Sequence, residues 1–182
     1  VEAFIDDVKD IMINDYNVVS ELTDCYLPTT IGNKAYKSMK IDAAYLELAS
    51  NTVNLLIADF KDSEMENINN EFINRNCQYM INFFENVLKG YFNNSEESAP
   101  YTELAFNIKR NVTGISKLHL FIASTNKISE RVKTIDLPNY IFDGKSYRVE
   151  LDIIDIVRLY NTKAEGFRKE PIEIDVSDFG ER

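Results

Sequence analysis

The chain has no tryptophan, one histidine, two cysteines, four prolines and six glycines among 182 residues. With His119 alone, it has too few nitrogen and sulfur ligands for a zinc site. Cys25 and Cys77 show no metal or redox spacing and suit packing in a reducing compartment. No glycine-rich loop suited to phosphate and no Ser–His or Cys–His pairing is visible, which argues against P-loop enzymes and triad hydrolases. No apolar run approaches the ~20 residues that cross a bilayer, and no signal-peptide pattern opens the chain. A cytoplasmic protein without a membrane partner is therefore expected. Positive charge is scarce too: 20 Lys and Arg face 30 Asp and Glu, a net charge of -10. A domain that grips nucleic acid unaided normally presents a basic surface, because phosphate contacts supply most of the affinity. Contact with nucleic acid would need a metal ion or another region of the protein to offset this charge.

What is present suits one domain over residues 1–182, with 45% hydrophobic and 27% charged residues. Phe4, Val8 and Ile11 or Met12 set a helical stripe through residues 1 to about 24, with a break at 14–17. Residues 26–33, with Pro28 and Gly32, read as a loop. Ser63 and Glu66 fit a capping box opening a helix that runs to about Tyr91. Its apolar side carries Met65, Ile68, Phe72, Met80, Phe84 and Val87, and Gln78 lies on its exposed side. Pro100 suits the first turn of a further helix, with Tyr101, Leu104, Ala105 and Ile108 inward.

Residues 117–124, KLHLFIAS, are apolar enough for a central buried strand, within which His119 reads as packed or hydrogen-bonded, without a catalytic partner. Residues 131–135, 147–151 and 170–176 look like strands, and 153–160 like a short helix. This order predicts an α/β fold, or α+β, with a mixed central sheet flanked by helices. Parallel neighbours are expected where the helical excursion from Phe60 to Lys117 joins two strands. The non-methionine start and the abrupt end at Gly180-Glu181-Arg182 read as the limits of a fragment.

The sequence is organised around residues 40–61, KIDAAYLELASNTVNLLIADFK, which read as two strands joined at Ser50-Asn51. A two-residue turn sets Asp42 opposite Asp59 and Lys40 opposite Lys61. Alternation then puts Asp42, Asp59 and Lys61 on one face with Ala44, Leu46, Leu48, Val53, Leu55 and Ile57, which is core material. Facing carboxylates repel, a cost that a divalent cation or a nearby ammonium would turn into a site. The plainer reading is a pair of solvated strand-end carboxylates, one of them paired with Lys61. Glu21 is either a solvated helix residue or, on a helix packed against the hairpin, aimed at the pair.

Asp42 followed by Asp59-Phe60-Lys61 resembles the D…(D/E)xK signature of restriction-endonuclease-like nucleases, with Ile41 where a proline usually stands. A second resemblance covers nearly the whole chain. Asp152-Ile153 through Ile156-Val157-Arg158-Leu159-Tyr160, the run from Arg168 to Asp175, LLIADF, and the helix containing INNEFINR and FFENVL are similar to the abortive infection phage resistance family. The resemblance implies the N-terminal domain of a bacterial anti-phage protein with a restriction-endonuclease-like fold. Asp42 and Asp59 would hold Mg²⁺ or Mn²⁺, with the Phe60 carbonyl as another ligand and Glu21 as an extra one. Lys61 would orient the attacking water or steady charge on the phosphate. The competing expectation is a nuclease-like module without catalysis, which forms a homo-oligomer or senses a phage component.

Overall fold

The computed structural model describes residues 2–16, 22–61, 67–95, 99–130, 132, 135 and 137–168. Chain order is α1 (Glu2–Tyr16), β1 (Thr23–Leu27), β2 (Ile41–Glu47), β3 (Thr52–Asp59), β4 (Asn67–Ile68) and α2 (Asn70–Lys89). A 3-10 turn (Tyr91–Asn94), α3 (Pro100–Arg110), β5 (Lys117–Ser124), β6 (Lys127–Ile128), β7 (Tyr140–Phe142), β8 (Lys145–Ile154) and α4 (Ile156–Arg168) follow. Six strands make one mixed sheet in the order β1-β2-β3-β5-β8-β7, and β4 pairs with β6 beside it. The fold is α/β. β3, β5 and β8 are parallel neighbours, while β1–β2–β3 and β7–β8 are antiparallel.

Both faces of the sheet are covered. Val53, Leu55 and Ile57 of β3 and Leu118, Leu120 and Ile122 of β5 pack with Ile73, Met80, Phe83, Phe84 and Val87 of α2 and Ala105 and Ile108 of α3. The alternate residues Ala43, Leu56, Phe121, Ala123 and Ile154 meet Phe4, Val8, Ile11 and Met12 of α1 and Leu159 of α4. Strands covered on both faces read as continuous apolar runs, which is the pattern of β3 and β5. Each fully buried Leu, Ile or Phe side chain contributes about 1.5–3 kcal/mol relative to exposure.

Several boundaries differ from the sequence reading. Residues 23–27 are a strand, not the end of a helix and the start of a loop; Cys25 and Leu27 point inward and Asp24 and Tyr26 outward. The long helix starts at Asn70 rather than at Ser63, because Asn69 caps it by accepting the Phe72 amide at 2.9 Å. It ends at Gly90, whose φ of 84° is the left-handed stop. Ile153 and Ile154 extend β8, and the last helix starts at Ile156 because Asp155 accepts the Arg158 amide. Val132 and Ile135 lie outside any strand. Ser63, Met65, Glu66, Arg131 and residues 170–176 lie outside the described residues.

A ladder of amides on α2 fixes the chain that leads into β2. Asn86 accepts the Lys37 amide at 3.2 Å and donates to the Lys37 carbonyl at 2.7 Å, pairing with it as a neighbouring strand would. Asn82 donates to the Ser38 carbonyl at 2.7 Å and is itself held by Gln78, four residues earlier. Alongside, the buried Glu85 accepts from Lys37 at 2.8 Å and from Lys89 at 2.6 Å. Burial alone would raise its pKa, but hydrogen bonds from Lys37, Lys89 and Tyr140 outweigh it and hold the carboxyl below its ordinary 4.5. Burial, reinforced by Glu85, in turn pushes the Tyr140 phenol upward.

Asn86→Ala removes a buried amide and leaves both Lys37 main-chain groups without the partner it supplied. The expected loss is about 1–3 kcal/mol, read as a lower urea midpoint with an unchanged slope. Because the folded-state pKa of Glu85 is depressed, its contribution is complete above the unfolded value and is lost as pH falls through the folded one. The stability gap between the parent and Glu85→Gln should therefore be widest above about pH 5 and shrink in acid. Denaturation at a series of pH values checks this, and a gap that widens in acid would contradict it.

Candidate functional site

The turn between β2 and β3 takes four residues, 48–51, rather than two, and Glu47 opposite Thr52 closes the ladder. Asn51 adopts a left-handed φ of 55°, which asparagine tolerates better than most residues. Its carbonyl accepts the Ser116 and Lys117 amides, at 2.9 and 3.2 Å, and so ties the turn to the start of β5. The register is thereby displaced by two positions: Ala43 faces Leu56 and Ala44 faces Leu55. Asp42 consequently does not face Asp59, and this corrects the pairing expected from a tight turn. An even displacement leaves each side chain on its own side of the sheet, so the shared face of the two carboxylates survives.

Asp42 is buried, at 6% exposure. Its Oδ2 accepts the Ala58 amide at 2.8 Å and lies 3.1 Å from Lys40 Nζ. The carboxylate thus caps the main chain of β3 just before Asp59, where the β2–β3 ladder has ended. Its charge also reaches Cys25, whose thiol is pushed up to about 12, first by burial and then by Asp24 and Asp42. Asp59 closes β3 and pairs in register with Ser124 of β5. Its Oδ2 accepts the Ser124 hydroxyl at 3.2 Å and lies 3.5 Å from Asn126 Nδ2. Both carboxylates therefore sit toward the carboxyl end of β3, and β5 and β8 end alongside it. Such an edge is where open α/β sheets commonly bind ligands.

Phe60 is exposed and rests its ring 5.7 Å from that of Phe4 on α1. Lys61 lies beyond the strand, with its main chain held by Thr125. Glu21 lies outside the described residues. Ser124, Thr125 and Asn126 belong to this site and were not singled out from sequence, and Lys40, expected opposite Lys61, instead pairs with Asp42. Their signal is faint: a polar Ser-Thr-Asn run directly after an apolar strand, and a lysine two residues before an aspartate.

The fit of a cation can be judged from what is already engaged. Each carboxylate commits Oδ2 to the protein, and among the described residues no hydrogen bond or ion pair engages Oδ1 of either Asp42 or Asp59. The Phe60 carbonyl likewise accepts no hydrogen bond among the described residues. Three hard oxygen donors of the kind that Mg²⁺ and Mn²⁺ prefer are thus uncommitted on neighbouring strand ends. Among the described residues, no group of three or more His, Cys, Asp and Glu side chains gathers into a metal-sized cluster, so water would complete the shell.

His119 is hydrogen-bonded, one of the two readings made from sequence, and its partner is an acid that the sequence did not reveal. Its Nε2 lies 2.8 Å from Asp152 Oδ2, and its ring centroid is 4.1 Å from that of Phe121. Alternation places it on the α1/α4 face of the sheet, opposite the face of Asp59, so it is not part of the carboxylate site. A strand-crossing histidine and aspartate was invisible in sequence because 33 residues separate them.

The two aspartates should respond differently to mutation. Asp42→Ala leaves the Ala58 amide and Lys40 without their acceptor and should cost about 1–3 kcal/mol. Asp59→Ala, at a half-buried strand end, should cost less than about 1 kcal/mol. Urea denaturation of both variants measures the contrast, and equal losses would show that Asp42 does not cap β3.

Among the described residues, no helix is long and apolar enough to cross a membrane. Nothing matches the chain among curated proteins or among solved structures. A family match, described as "Abortive infection phage resistance protein N-terminal domain", covers residues 4–161, from the first turn of α1 into α4 and across the whole carboxylate edge. The chain belongs to this abortive infection phage resistance family, as an N-terminal domain.

Proposed function

We propose that this is a metal-dependent nuclease domain of a bacterial abortive-infection protein, hydrolysing phosphodiesters of nucleic acid with Mg²⁺ or Mn²⁺. The observation that carries the proposal is the division of labour at the end of β3. Asp42 and Asp59 each have one oxygen fixed by the protein and one uncommitted, with the uncommitted Phe60 carbonyl next in sequence. The mixed sheet, entered through an antiparallel hairpin that carries both carboxylates, supports a restriction-endonuclease-like reading. A bound divalent ion supplies a water of lowered pKa and a Lewis acid for the scissile phosphate. Asp42, Asp59 and the Phe60 carbonyl hold it, and Lys61 orients the water or stabilises charge developing on phosphate. Glu21 remains a further candidate ligand. With a net charge of -10, much of the grip on nucleic acid must come from the ion and from other parts of the protein.

A second reading, a nuclease-like module that self-associates or senses a phage component without catalysis, is favoured by one contact. Lys40 already neutralises Asp42 at 3.1 Å, so the buried charge has a partner without any metal.

Calorimetric titration with Mn²⁺ of the parent beside Asp59→Asn separates the readings. The first expects binding by the parent that weakens more than about tenfold in the variant, together with metal-dependent cleavage of nucleic acid lost in the same variant. No binding by either protein would sink the nuclease proposal in favour of the interaction module.

A further inference from the structure

The turn that closes β5 holds both residues that flank Phe60 in the Asp59-Phe60-Lys61 triplet. Ser124, fully buried, donates its hydroxyl to Asp59 Oδ2 and accepts the Asn126 amide at 3.1 Å. The Thr125 amide donates to the Asp59 carbonyl at 3.2 Å. Thr125 Oγ1 accepts the Lys61 amide at 3.0 Å and donates to the Lys61 carbonyl at 3.2 Å. One threonine therefore holds the main chain on both sides of Phe60.

The Lys61 N–H and the Phe60 C=O belong to the same peptide unit. That unit is planar and trans, so its N–H and C=O point in opposite directions. Anchoring the N–H on Thr125 Oγ1 therefore turns the Phe60 carbonyl away from Thr125 and fixes its plane. Asp59, one residue earlier, is held from the same turn through both its carbonyl and its carboxylate. The side chain of Asp59 and the carbonyl of Phe60 thus take their directions from three consecutive residues, Ser124 at the end of β5 and Thr125 and Asn126 in the turn after it.

We infer that Thr125 is a positioning residue of this site: its hydroxyl sets the Phe60–Lys61 peptide, and so aims the Phe60 carbonyl as a metal ligand. This rests on the metal-dependent reading proposed above. Outer hydrogen bonds that orient a ligand are typically worth 10–100-fold in metal affinity. Lys61 is exposed, so water can satisfy its amide when the hydroxyl is removed, but water does not hold the peptide plane. Loss of the hydroxyl should therefore weaken the site while leaving the fold almost unchanged.

The test compares Mn²⁺ affinity of the parent, Thr125→Val and Thr125→Ser by calorimetry, with thermal midpoints and Lys61 amide exchange measured alongside. Valine keeps the shape and removes the hydroxyl, whereas serine keeps the hydroxyl. The expected result is about tenfold weaker binding and faster Lys61 exchange in Thr125→Val, near-parental values in Thr125→Ser, and closely similar midpoints. Parental affinity in the valine variant, or equal losses in valine and serine, would overturn the role of Thr125 while leaving the metal reading intact. A parent that binds no Mn²⁺ would remove the metal reading and this inference together.

Discussion

The parallel ladder between β3 and β5, from Thr52 opposite Lys117 to Asp59 opposite Ser124, is the constraint on which the other elements depend. Parallel strands cannot be joined by a tight turn, so a long crossover is obligatory, and α2 and α3 supply it. Those helices bury one face of the ladder and leave the other to α1 and α4. The two-sided core leaves little freedom of register. A slip of one residue would drive Leu55 and Ile57 to the face occupied by Leu56, and would take Asp59 away from Ser124. The position of Asp59 is thus a consequence of how the interior packs.

The approach to Asp42 is governed differently. The chain from β1 to β2 is long and carries few apolar anchors, chiefly Met39 and Ile41. Side chains of α2 take the place of a strand partner: Asn82 and Asn86 bond the main chain of Lys37 and Ser38, and Glu85 holds the Lys37 ammonium. The helix that seals the sheet therefore also delivers Lys40 and Asp42 to the edge of β3. Packing and site share the same residues, so damage to the amide ladder would reach the carboxylates through the backbone.

Much of this was legible because it is local. The apolar run of residues 117–124 is β5 to the residue, Pro100 opens α3, and the carboxylates of β2 and β3 share a face as alternation requires. The turn length was not legible. It depends on Asn51 taking a left-handed conformation that two amides from β5 reward, a contact made across 65 residues. β1 was hidden by its brevity, and the start of α2 by a plausible capping box at Ser63 that competes with the asparagine cap used at Asn69. The partners of Asp59 came from Ser124 at the end of β5 and Asn126 just after it, beyond the reach of any motif confined to the hairpin.

Asp42 carries an imbalance that the fold does not explain. Capping the Ala58 amide needs one acceptor oxygen, and asparagine would provide it without the cost of burying a charge. Lys40 offsets part of that cost, yet both side chains give up most of their hydration and a largely buried ion pair of this kind gains little over neutral packing. A carboxylate is used where an amide would satisfy the backbone, and its second oxygen has no partner among the described residues. Asp59 repeats the pattern, with Ser124 and Asn126 on one oxygen and, among the described residues, none on the other. Two buried or half-buried carboxylates that each leave an oxygen over, at the same strand end, exceed what folding requires. The surplus negative charge there is what a cation-binding role would use.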